Sequence, residues 1–111
     1  TYMKSFDEQD YHAARYETSM MLYWHPELVH MENACLDDPD LVHRMRTDPD
    51  AYLEKTKVVD GKYVVPKLTQ HRDIQVGVMG ALEGISAELG EKIVREATES
   101  LAQYVRELEG K

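Results

Sequence analysis

"DYHAARYETSMMLYWHPELV", residues 10–29, decides how this chain is read. From about Ala13 to Tyr23 the residues suit a helix. Ala13, Glu17, Met20 and Trp24 recur at helical spacing on one face, with Met21 beside them. Pro26 disfavours helical geometry at His25 and ends the run. An apolar face predicts burial, yet Glu17 lies on it, and burying a carboxylate is costly unless a cation or hydrogen bonds satisfy it. Two readings stay open: a buried acceptor for the N–H groups of a neighbouring loop, or a member of an active site. Just upstream, Asp10 and His12 are two residues apart, so in an extended segment their side chains share a side. Asp10 can then orient or charge-stabilise the imidazole, giving a poised general acid or base. A lone His ahead of a helix is more often a surface residue or a cap. The other histidines, His25, His30, His43 and His71, show no ligand-like pairing.

Residues 1–9 are polar and read as a connecting segment, while Leu28, Val29 and Met31 form a short apolar stretch that predicts a strand edge. Two Asp-Pro-Asp triplets follow. Asp38 and Asp48 can each cap a helix, with Pro39 and Pro49 at the first helical position and Asp40 and Asp50 suiting the positive end of the helix dipole. The spacing and glycine of an EF-hand calcium loop are absent. "VVDGKYVV", residues 58–65, predicts a hairpin with a type I′ turn at Asp60-Gly61, and Pro66 points to a sheet edge or strand end. Ile74, Val76 and Val78 alternate as a strand requires. Gly77 and Gly80 permit close backbone approach or positive φ, and "GVMG" lacks the Lys-Ser/Thr and spacing of a phosphate loop. Ser86 can cap a long helix reaching about Leu108, with Glu88 in its first turn. Ile93, Ala97, Leu101, Tyr104 and Leu108 make an apolar stripe opposite Glu91, Arg95, Glu99 and Arg106. The whole is α/β, with too few strands to form a self-sufficient sheet beneath such helices. Something else completes it.

Composition sets the bounds. The chain has 111 residues, enough for one small domain; 42% are hydrophobic and 31% charged, which reads as folded and globular. A formal net charge of −8 with scattered basic residues excludes a nucleic-acid surface. No apolar run has membrane-spanning length, and no signal peptide is evident. The lone Cys35 cannot form an internal disulfide; a buried, inert thiol in a reducing cytoplasm is expected. A first residue other than Met suggests processing, trimming or a fragment.

Two stretches carry a family resemblance. "HAARYETSMMLYWHPELV", residues 12–29, closely resembles the His-Ala/Gly-Gly-x-x-Glu-Thr-Ser-x-Met-Leu signature, with its following Pro-Glu/Asp-Leu-Val, of the creatininase (creatinine amidohydrolase) family. "VGVMGALEGISAELGEKIVREATESLAQYVREL", residues 76–108, resembles that family's Gly-x-x-Gly and long closing helix. The resemblance implies a metal-dependent hydrolase of amide C–N bonds, often cyclic or formyl-type, in a three-layer α/β/α sandwich commonly assembled into hexamers. It implies that residues 1–111 are the C-terminal portion of one such domain, the sheet being completed by an N-terminal half or partner chain in a homo- or hetero-oligomer. His12 takes the position of the family's proton shuttle, and Glu17 that of the Glu in Glu-Thr-Ser. Asp10 and Tyr11 fall where substrate is held. The family's metal ligands, an earlier Glu-x-His, an Asp and a His-x-Glu, have no counterpart here, so zinc or manganese is expected to sit on residues outside this chain. Tyr11 and Glu8 stand where creatininase itself has Glu and Trp, and Ala14 replaces the usual second Gly. The competing reading is a non-catalytic scaffold or interaction subunit that keeps the fold.

Overall fold

The computed structural model describes residues 4–6, 8–36 and 38–110; the expected connecting segment lies partly outside them. The chain divides into two compact units, residues 1–35 with 80–111, and residues 36–79. The architecture is α/β, with a two-stranded sheet among the described residues. No described helix is long and apolar enough to cross a membrane.

The first unit is built on two helices, α1 (Arg15–Trp24) and α3 (Ala87–Glu109), which pack together. Ser86 caps α3 as its residue type predicts, its hydroxyl accepting the Leu89 N–H at 3.0 Å, a contact worth about 1 kcal/mol. The helices meet where both have small residues. A Cβ on Gly90 would fall on the Ser19 carbonyl oxygen and 2.9 Å from the Met20 nitrogen. The buried Ser19 side chain also accepts the Ser86 N–H at 3.1 Å. Ile93, one turn beyond Gly90, is buried. Glu96 accepts the N–H groups of Lys4 and Ser5 at 2.8 and 2.9 Å.

The expected inward face of α1 is corrected. Tyr16 and Ser19 are the buried residues of this helix, whereas Glu17, Met21 and Trp24 are exposed. Nearly every residue from Met20 to Trp24 is apolar, so periodicity alone does not fix the inward side. The small Ser19, facing Gly90, does. Pro26 ends the helix as expected, with His25 at φ −145° and ψ 69°. Residues 26–28 and 31–33 then form two 3₁₀ turns instead of a strand edge. Cys35 is exposed, not buried.

The second unit holds α2 (Leu41–Met45), β1 (Leu53–Thr56) and β2 (Lys67–Gln70), with Leu41 and Met45 buried. A short helix does follow the first triplet, but its N-cap is Asp40 and Pro39 precedes it: at the entry to α2, Asp38 Oδ1 accepts the N–H groups of Asp40 and Leu41, and its other oxygen pairs with Arg44. The second triplet makes no helix. The Asp48 side chain accepts the Asp50 N–H and its carbonyl the Ala51 N–H, and Leu53 N–H bonds the Asp50 carbonyl, so the chain turns directly into β1. The hairpin forms, but outside the predicted residues: Thr56 pairs with Lys67 and Leu53 with Gln70, antiparallel. Pro66 lacks a ladder donor, and Gly61 does not take the positive φ that a type I′ turn demands. Val58, Val59 and Tyr63–Val65 therefore form the hairpin's long tip. Residues 74–78 are irregular rather than a strand.

Candidate active site

The sequence Asp10 to Ser19 folds as a set of clamps around His12. Ala14, at the N-cap position of α1, offers no capping oxygen. Asp10 supplies it from four residues earlier, its Oδ2 accepting the Tyr16 N–H at 3.1 Å while Oδ1 accepts the Tyr11 N–H at 3.1 Å. Gly80 makes room for this carboxylate: a Cβ there would collide with Asp10 Oδ1 and come within 2.6 Å of the Ala14 Cβ. The Gly-x-x-Gly of the sequence marks this close approach, though the sequence does not say to what.

The backbone turns into α1 at Ala13, whose φ of 50° is unusual for a residue with a Cβ. Two motif side chains brace that turn. Glu17 Oε2 accepts the Ala13 N–H, and Thr18 Oγ1 donates to the Ala13 carbonyl at 3.2 Å. The strained position is thus Ala13, not the substituted Ala14. Ala13→Gly is expected to leave stability unchanged or raise it by up to about 1 kcal/mol, because glycine adopts this φ without cost but loses more chain entropy. Ala13→Val is expected to lower it by about 2 kcal/mol. Urea unfolding of the two variants measures the difference; a stabilised Val variant would contradict this turn geometry.

His12 lies between these clamps. Its Nδ1 is 3.8 Å from Glu17 Oε2, within ion-pair range but beyond a hydrogen bond, and both side chains are 58% exposed. Its neighbour is therefore Glu17 rather than Asp10, whose two oxygens serve backbone N–H groups. Glu17 was expected on a buried face; in this chain it stands at the surface.

Two open depressions flank the pair. One, of about 410 Å³, is lined by Asp10, Tyr11, Tyr16 and Met20; the other, of about 460 Å³, by Thr18, Met21, Leu28 and His30. His12 and Glu17 line both. The structure thus brings all four expected site residues to one surface. Two residues that sequence reasoning passed over fix its wall. The Tyr16 hydroxyl donates to the Glu8 carbonyl at 3.1 Å, and Arg15 pairs with Glu8 at 3.0 Å while donating to the Glu83 carbonyl at 2.6 Å. The Tyr11 hydroxyl is buried without a hydrogen-bond partner among the described residues. No group of three or more His, Cys, Asp or Glu able to hold a metal ion occurs among the described residues.

Comparison with curated proteins finds no match, and neither does comparison with solved structures. The family model described as creatininase, creatinine amidohydrolase, matches residues 2–105, nearly the whole chain and all of the surface around His12. The chain belongs to the creatininase family.

Proposed function

We propose that this chain is the His-bearing, C-terminal part of a metal-dependent amidohydrolase that cleaves a small-molecule amide C–N bond of cyclic or formyl type. An N-terminal half or partner chain completes it, in an oligomer of the cytoplasm. The observation that carries the reading is the placement of His12 and Glu17: braced from both sides by backbone bonds, yet open to two depressions that a second polypeptide can roof.

Glu17 lies on the Nδ1 side of the imidazole, which leaves Nε2 as the atom to meet substrate. Amide cleavage needs a proton on the departing nitrogen, and an imidazole within reach of it can deliver one. The orphaned Tyr11 hydroxyl is a donor in search of an acceptor such as a substrate carbonyl, since an unpaired buried O–H costs about 1–3 kcal/mol. Asp10 shapes the wall on which substrate rests. The described residues do not fit a metal, so zinc or manganese must be held by residues outside them, and no step here is routed through it.

The same lack of a metal-ligating group favours the second reading, a scaffold subunit that keeps the fold. One experiment separates the two. The chain is purified with every polypeptide that accompanies it, stripped with chelator, and assayed on cyclic and formyl amides before and after zinc or manganese is returned. Hydrolysis restored by metal is expected; a metal-free assembly inert towards every amide sinks the enzyme reading.

A further inference from the structure

We propose that the hairpin tip, residues 55–67, docks onto the C-terminal half of α3 in a second copy of this chain. Each surface shows what the other lacks. The tip is apolar and fully open: Val58 is 95% exposed, Tyr63 88% and Val65 85%. It is also the basic part of an acidic protein. Four of the chain's seven lysines, Lys55, Lys57, Lys62 and Lys67, stand there; Lys55 is paired with Asp50 at 2.9 Å, which leaves Lys57, Lys62 and Lys67 against Asp60. Lys62 lies over the Tyr63 ring, 5.3 Å from its centre, so charge and apolar surface are presented together.

On α3, burial of the apolar stripe stops after Ile93. Leu101 is 63% exposed, and Tyr104, Val105 and Leu108 are also exposed. This second patch is edged with acid: Glu99, Glu107 and Glu109 against Arg106. Beside it lies a shallow depression of about 150 Å³ lined by Ser100, Gln103, Tyr104 and Glu107. Exposed apolar patches of this kind mark interaction sites. Like-charged patches could not pair with themselves, but tip and helix complement each other in sign, which selects a basic-to-acidic contact between copies. Such a contact is heterologous: it leaves one tip and one helix face free on each pair, so copies close into a ring or exchange contacts reciprocally. The proposal does not depend on the hydrolase reading.

Sedimentation velocity of the full chain, with any polypeptide that accompanies it, tests this. The wild type is expected to self-associate. Lys57→Glu with Lys62→Glu, and separately Glu99→Lys with Glu107→Lys, are each expected to weaken association about tenfold or more. An equimolar mixture of the two variants is expected to recover it, because both contacts between unlike variants are again between opposite charges. A third variant, Val58→Ser with Tyr63→Ser, is expected to weaken association without altering charge. A wild type that sediments as a single copy, variants that associate like the wild type, or a mixture that recovers nothing would each overturn the proposal. A single-copy wild type that instead floats with vesicles of phosphatidylcholine and phosphatidylserine overturns it in favour of an anionic lipid surface.

Discussion

Gly90→Ala is expected to destabilise the chain by about 2 kcal/mol, although alanine is the better helix former. Two effects oppose each other. Within a helix, replacing glycine by alanine gains about 1 kcal/mol of intrinsic propensity. Against it, the new methyl would fall on the Ser19 carbonyl oxygen and 2.9 Å from the Met20 nitrogen. Both are backbone atoms of α1, so no side chain can swing away. The helices must separate, loosening Ser19 from the Ser86 N–H and uncovering Ile93. Overpacking of this kind costs typically 1–3 kcal/mol and sometimes more, and the loosened hydrogen bond adds about 1 kcal/mol. Gly110→Ala is the control, since a Cβ there meets nothing nearer than 3.4 Å; it is expected to shift stability by less than about 0.5 kcal/mol. Urea unfolding followed by helical circular dichroism compares them. A Gly90 variant as stable as the wild type would mean that α1 and α3 do not cross this closely.

The same contact shows which parts of the fold were legible in the sequence. α3 was legible end to end because its signals are local: a capping Ser86, a first-turn Glu88 and an unbroken stripe. Where the stripe would be buried was not legible. Gly90, packed against α1, and Ile93 are the buried residues of α3, and the stripe beyond them from Leu101 to Leu108 is exposed. The hairpin was legible as a hairpin but not in register. Val58-Val59 and Val64-Val65 have high strand propensity, yet Pro66 breaks the ladder beside them and pairing begins beyond it, at Thr56 and Lys67. Ile74, Val76 and Val78 alternate without forming a strand, because alternation records which residues could line a sheet and not whether a neighbour strand exists.

Glu17 teaches the most about the site. Its face of α1 carries Met21 and Trp24, and so read as core. In the structure that face is open, and the carboxylate turns back to hold the Ala13 N–H. The pattern in the sequence describes a surface that this chain leaves exposed. Asp10 was legible as a residue of the site but not in its contacts, because capping from four residues before the N-cap leaves no simple spacing signal.

On the hydrolase reading, His12→Ala is expected to have the largest effect on catalysis, lowering turnover roughly 100- to 10,000-fold in the complete assembly while changing KM far less. The structure makes this a clean test of chemistry. The side chain is 58% exposed and caps nothing; the bonds that shape the turn belong to Asp10, Glu17 and Thr18. Unfolding stability is therefore expected to shift by less than about 0.5 kcal/mol. Free imidazole, entering the open depressions, is expected to restore part of the lost rate. Glu17 behaves differently because it serves two groups at once. Glu17→Gln keeps an oxygen for the Ala13 N–H and loses only the charge beside Nδ1, so turnover should fall less than in the His12 variant and stability should hold. Glu17→Ala removes both and leaves the strained turn at Ala13 without its acceptor, so it should lose about 1 kcal/mol of stability as well. Steady-state kinetics and urea unfolding of the three variants read these differences. Should His12→Ala turn over amides like the wild type, the imidazole has no part in the reaction, and the surface around it serves to dock a partner rather than to move a proton.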